Sequence, residues 1–187
     1  MRNLLVTAAV AAMLASQPSF AFEWGELQLA PRGGGGDIDI KPQFRGPNIR
    51  SDADTFVGGF SAGLRAPFGF LIEVGHEAAV EFDLFDAFDS YDFSQVYVGV
   101  GYQFELGEGW RFVPKYERSR WKLHSEEGAF ANPGPEDSDT FRGYEHIWEL
   151  NLSRRVSDTV ALGVSHRQGD YLFGRARSTT FLVTIGL

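Results

Sequence analysis

The chain has 187 residues, a formal net charge of −8 and no cysteine. That length admits one domain with its own core, or one small closed barrel. The acidic balance argues against nucleic acid, which calls for a basic patch. It also argues against peripheral docking on anionic headgroups. Without cysteine there is no disulfide framework, thiolate metal site or Cys nucleophile.

Met1-Arg2-Asn3 carries one positive charge, and Leu4 to Ala15 is an apolar run too short to span a bilayer. Ser19-Phe20-Ala21 fits a small-x-small cleavage pattern. Residues 1–21 therefore read as a secretory signal peptide, and no Cys follows that a lipid could modify. No later stretch approaches 18 consecutive apolar residues, so any membrane entry must be as a closed barrel. Residues 22–36 read as an N-terminal extension, whether short strand, plug or disordered segment. They end in Gly33 to Gly36, four flexible glycines that hold regular structure at a cost.

From residue 37 to residue 187 the chain alternates with period two, the signature of strands whose successive side chains face opposite ways. Strand one is expected over 37–45, made irregular by Pro42, which lacks a ladder donor. Strand two is expected over 55–65, with Phe56, Phe60 and Leu64 opposite Ser61 and Arg65. Strand three covers 68–82, with Phe70, Ile72 and Val74 outward and Glu73 and Glu77 inward. The clearest stretch is 94–123. Val96, Val98, Val100, Tyr102, Phe104 and Leu106 alternate with polar or small residues, Gly107-Glu108-Gly109 turns the chain, and Trp110, Phe112, Pro114 and Tyr116 resume the apolar set. This reads as a β-hairpin, strands four and five. Strands six, seven and eight are expected over 140–154, 159–169 and 175–187, with Phe181, Val183, Ile185 and Leu187 on one face of the last.

Two regularities favour a barrel over a sandwich. The strand count is even, and short connections at 66–67, 107–109 and 156–158 alternate with longer ones at 46–54, 84–92, 124–139 and, more weakly, 170–174. The expected fold is an all-β, eight-stranded antiparallel up-and-down transmembrane β-barrel. The face opposite the apolar one carries Lys41, Arg45, Arg65, Glu73, Glu77, Glu105, Arg111, Lys115, Glu117, Glu145, Glu149 and Arg167. Eight strands leave an interior just wide enough for side chains, and buried charges must be paired. An ion-pair network plugging the lumen is expected. Trp24, Trp110, Trp121 and Trp148 are candidates for the membrane interfaces. After Tyr116 the pattern breaks: Arg118, Arg120 and Lys122 continue the outward set, while Trp121 and Leu123 fall inside. Either a β-bulge near 117–119 restores the register, or the strand rises out of the membrane and its cations meet lipopolysaccharide phosphates.

The signal segment, the eight alternating strands and the closing strand Thr180-Phe181-Leu182-Val183-Thr184-Ile185-Gly186-Leu187 together resemble the small outer-membrane barrels: outer-membrane protein X, the membrane domain of outer-membrane protein A, and the opacity-type proteins. The resemblance covers 37–187 and implies residence in a Gram-negative outer membrane, contact with its lipids and lipopolysaccharide, and a monomer. It also implies that 180–187 are read by the barrel-assembly machinery, although the chain ends on Leu187 where a terminal aromatic is usual.

Some barrels of this size are lipid A deacylases with a His-x-Ser pair on a late strand. Here that place holds Val164-Ser165-His166-Arg167-Gln168. His166 is the one enzyme candidate. The residue two further on is Gln168, which cannot attack an ester, and adjacent Ser165 points to the opposite face. Ser178 is close in sequence with nothing to orient it. The acidic loop residues Asp83, Asp86, Asp89 and Asp92, and then Glu126, Glu127, Glu136, Asp137 and Asp139, match no calcium-loop spacing. Gly33–Gly36 lack the Lys and Ser or Thr of a phosphate loop. No catalytic residue, cofactor or metal is assigned. The leading expectation is a structural or surface-interaction barrel acting through its loops. The alternatives are a lipid A-modifying enzyme and a soluble periplasmic barrel binding an apolar ligand.

Overall fold

Period-two alternation becomes a closed antiparallel sheet. The computed structural model describes residues 25–44, 52–81, 90–126 and 138–187. The strands are β1 (Glu26–Ile40), β2 (Asp52–Arg65), β3 (Phe70–Glu81), β4 (Ser90–Tyr102), β5 (Phe104–Gly107), β6 (Trp110–Glu126), β7 (Ser138–Arg155), β8 (Val160–Tyr171) and β9 (Gly174–Gly186). Each pairs antiparallel with its sequence neighbour, except that β4 and β5 do not pair with each other; β1 also pairs with β9, and β4 with β6. β5 prolongs β4 past Gln103, so the nine segments form eight staves. Closure leaves no edge strand open to other chains. The expected signal peptide 1–21, Arg45 and the acidic residues Asp83, Asp86, Asp89, Glu127, Glu136 and Asp137 lie outside the described residues.

Three connections are tight and share one end of the barrel with both ends of the described chain. At 107–109 the register of β5 against β6 shifts. Gly107, Glu108 and Gly109 take φ of 89°, 51° and 80°, a left-handed run that glycine on both sides of Glu108 makes accessible. The opposite end carries the connections at 41–51, 82–89 and 127–137, and one very short turn at Leu172–Phe173. That turn is tighter than the weakly expected loop over 170–174.

The barrel begins earlier than the sequence suggests. β1 starts at Glu26 and takes in Gly33–Gly36, where an extension ending at 36 and a strand starting at 37 were expected. Both neighbours hold the glycines in register: Gly34 lies opposite Val57 of β2 and Thr180 of β9. Glycine shows no alternation because it has no side chain, so the strongest strand signal is silent there. At the far end β1 stops at Ile40, and Pro42–Phe44 form a 3₁₀ turn. Pro42, lacking an N–H, ends the ladder and does not merely roughen it.

The outer face is apolar along its middle. Phe60, Val96, Val98, Leu150, Leu162 and Phe181 are all exposed, the last to 75%. β6 runs unbroken against β7 from Trp110 to Glu126 and against β4 from Lys115 to Glu126, so no bulge resets it near 117–119. Trp121 and Leu123 instead point inward, at 1% and 0% exposure. Trp121 is therefore a lumen residue and not an interfacial one, whereas Trp110 and Trp148 face outward. Ile185 keeps the outer face of Phe181 and Val183, where it lies across from Leu29 and Val160 and is only 4% exposed.

Candidate functional site

The lumen is layered. At mid-height lies a buried charge cluster centred on Glu149 of β7. Its two carboxylate oxygens accept from three cations: Arg32 Nη1 at 2.6 Å, Lys115 Nζ at 2.9 Å and Arg167 Nη2 at 2.6 Å. Lys115 also bridges to Glu73 at 2.9 and 3.0 Å. Arg167 reaches Glu77 through Nη1 at 2.8 Å and Glu117 at 3.0 Å. Arg32 donates to Ser61 Oγ at 3.3 Å. The Tyr97 ring packs under Arg167, with Cζ 4.2 Å from its centroid, and the Tyr97 hydroxyl donates to Glu73 at 3.4 Å. Most cations in the cluster thus serve two carboxylates or more, which is how buried charge becomes tolerable.

Room for these side chains comes from inward positions that hold glycine. A Cβ on Gly75 would stand 2.4 Å from the Tyr97 hydroxyl, and one on Gly99 would stand 2.8 Å from Glu117 Cγ. In a barrel this narrow, a large residue on one strand requires a small one on its neighbour.

Towards the loop end the interior changes character. Ile38, Ile40, Val57, Tyr91, Phe93, Trp121, Leu123, Ile147, Tyr171 and Phe173 form an apolar layer above the charges. Trp121 meets Phe173 edge-on at 4.9 Å, and Tyr171 stacks on Phe173 at 5.0 Å. The Tyr171 hydroxyl ties this layer to the charges by donating to Gln95 Oε1 at 2.9 Å, and Gln95 in turn donates to Glu77 at 3.2 Å. Towards the turn end the lumen is polar, with Gln28, Gln103, Asn151 and Ser153. Two cavities flank the charge cluster, one on each side, each of about 20 Å³. Each is large enough for a single water.

Of the twelve charged residues expected in the interior network, Glu73, Glu77, Lys115, Glu117, Glu149 and Arg167 meet in one cluster. Glu105 and Arg111 pair separately at the turn end, 3.3 Å apart. Arg65 pairs there with Glu26. Lys41 sits at the loop-end rim and donates to the carbonyls of Tyr171 and Leu172. Glu145 accepts from the His146 backbone N–H and joins no ion pair among the described residues. Arg32 is the missed member, hidden because its glycine-flanked segment read as an extension. Leu27, Leu29 and Pro31 alternating with Gln28 and Ala30 were the available signal.

Glu73, Glu117 and Glu149 bring carboxylate oxygens within 4.8 Å of one another. Arg32, Lys115 and Arg167 already occupy those oxygens, and a hard cation needs six or more. The cluster is therefore its own counter-ion set, and no metal is assigned to it.

His166 lies on the outer face. Its Nδ1 is 3.1 Å from Thr179 Oγ1 across the β8–β9 pair. Ser165 and Ser178 point into the lumen, and Gln168 shares the His166 face. Among the described residues no carboxylate orients the other ring nitrogen, so the third member of a nucleophile–base arrangement is lacking.

Closed sheet, apolar exterior and charged interior define the class: an eight-stranded transmembrane-type β-barrel. Solved structures of small outer-membrane barrels share that fold. Neisserial surface protein A superposes with a TM-score of 0.67 at 12% identity, over 85% of this chain and 96% of that one. Ail, the attachment invasion locus protein of Yersinia pestis, gives 0.57 at 12% identity, over 87% and 98%. The N-terminal β-barrel domain of Pseudomonas aeruginosa OprF gives 0.55 at 10% identity, over 88% and 98%. No protein-family model and no curated protein matches the sequence. Likeness at this identity establishes the fold.

Proposed function

We propose that this chain is a monomeric outer-membrane barrel with a plugged interior, which serves a structural or surface-contact role through its loop end. The observation that carries this is the inversion of polarity: large apolar side chains stand outside, and the charge cluster is sealed within. A lipid-facing barrel has that arrangement, and a soluble one has the reverse. The two lumen cavities among the described residues, each of about 20 Å³ and so of a single water's size, support a plugged barrel that conducts no ions. On this reading residues 1–21 direct export and 180–187 are recognised during assembly.

The test is fractionation followed by gel mobility with and without boiling, then single-channel recording in a planar bilayer. Recovery with the outer membrane, a heat-dependent band shift and no conductance are expected. Soluble periplasmic protein without a shift, or steady conductance, overturns the proposal.

The pairing of His166 with Thr179 keeps a lipid A-modifying reading in view. His166→Ala is expected to leave the lipid A mass spectrum of expressing cells unchanged, and identical to that of cells lacking the protein. Acyl loss that depends on His166 would establish an enzyme instead.

A further inference from the structure

On the outer face at the loop end, β6 presents Arg118, Arg120 and Lys122 in succession, and Arg142 of β7 lies directly across from Lys122. All four are exposed. Arg118 lies over the Tyr144 ring, 5.6 Å from its centroid, and among the described residues no carboxylate pairs with any of the four. Other outward cations at this end are arranged differently: Arg175 pairs with Asp170 at 2.7 Å, and Arg177 faces Asp37 at 3.9 Å. Like charges directly across a strand pair repel, so the cluster is stable where something anionic is shared among its members.

The surroundings show where that anion must be. On β4, Val98 and Val96 stand opposite Arg118 and Arg120, exposed to 50% and 58%. Immediately towards the membrane centre, Tyr116 and Trp148 pack together 4.8 Å apart, the kind of aromatic pair found at a headgroup boundary. The cations therefore sit at the upper edge of the apolar band. Their stems lie along lipid-facing surface and their heads reach the headgroup layer. A soluble anion would meet them only from the water side.

We propose that Arg118, Arg120, Lys122 and Arg142 form a binding site for the phosphates of an outer-leaflet glycolipid. This deepens the outer-membrane reading and rests on it. Arginine suits the role because its planar fork matches phosphate oxygens. Near a charged surface each cation contributes enough that removing all four is expected to weaken binding at least about tenfold.

The experiment compares wild type with Arg118→Gln/Arg120→Gln/Lys122→Gln/Arg142→Gln in phosphatidylcholine nanodiscs, titrated with lipid A and with dephosphorylated lipid A. A second variant, Arg175→Gln/Arg177→Gln, removes two outward cations of β9, which β8 separates from the site. Expected are lipid A binding by wild type and by the second variant, loss of it in the fourfold variant and in high salt, and no binding of the dephosphorylated lipid. Equal binding by the fourfold variant, or salt-insensitive binding of both lipids, overturns the site. Tight binding of inositol hexakisphosphate from solution, with no preference for lipid A, assigns the patch to a soluble polyanion instead. Failure of wild type to enter nanodiscs at all overturns the membrane reading itself, an outcome distinct from insertion without binding.

Discussion

Replacing Glu149 by alanine is expected to destabilise the barrel by about 3–5 kcal/mol, because three buried cations lose their common partner. Glu149 has no exposed surface and accepts from Arg32, Lys115 and Arg167 at once. Glu149→Gln preserves the volume and removes the charge. A comparable loss in that variant assigns the effect to electrostatics and not to a cavity. Arg65→Gln is the control. Arg65 and its partner Glu26 lie at the turn end, exposed to 19% and 30%, where solvent screening holds a pair to about 1 kcal/mol or less. Reversible urea unfolding in lipid vesicles, followed by tryptophan fluorescence, reads both. If Glu149→Gln and Arg65→Gln cost the same, the central cluster is not what holds the interior together.

The second expectation concerns the glycine run of β1. A Cβ on Gly34 would stand 2.2 Å from the Thr179 carbonyl oxygen and 2.7 Å from Thr180 Cα. These are backbone atoms of the strand that closes the barrel, so they cannot swing aside. A Cβ on Gly35 would find only the Thr55 oxygen, at 3.8 Å, an ordinary contact. Gly34→Ala is therefore expected to destabilise by about 1–3 kcal/mol through overpacking at the β1–β9 seam. Gly35→Ala is expected to be neutral or to stabilise by up to about 1 kcal/mol, through lost unfolded-state entropy. The two variants differ by one position and the same added methyl. Equal behaviour would mean the seam does not have this register.

These two sites show where sequence reasoning succeeds and where it stops. From Ser94 to Glu117 the alternation is legible because every second residue meets lipid and the rest meet a crowded, charged interior. Two environments that differ so strongly leave period two in the composition. The reading fails at Gly33–Gly36 because the signal resides in side chains. That failure moved the start of the barrel and concealed Arg32. It fails again at Trp121 and Leu123, where the face assignment was right but the interior turns from charged to apolar over a few residues. A uniform polar lumen was the wrong template, and the bulge suggested to rescue it does not exist. Which charges meet was beyond the sequence. Arg32 and Glu149 are 117 positions apart, and only strand register brings them together. Glu145 shares the inward parity of the cluster yet stands too close to the loop end to join it, whereas Lys41 follows the end of β1, exposed and off the inward parity of Arg32, Ile38 and Ile40.

The outward cations teach the converse. Arg118, Arg120 and Lys122 looked like a defect in the pattern, but they are where β6 leaves the apolar band. The same strand carries Lys115 and Glu117 into the lumen and presents Tyr116 to the exterior. Parity is constant along β6, and depth relative to the lipid is what changes.

The most direct test is an accessibility scan of β4 and β6 with nitroxide labels. The chain has no cysteine, so each introduced cysteine is unique. Labels at Val96, Val98 and Val100 of the vesicle-inserted protein should be open to oxygen, which partitions into lipid, and shielded from a water-soluble nickel complex. A label at Lys122 should meet both reagents, marking the headgroup boundary. Nickel accessibility along Val96, Val98 and Val100, or labels there immobilised and shielded from both reagents, would mean that the apolar face meets water or a protein core and not lipid.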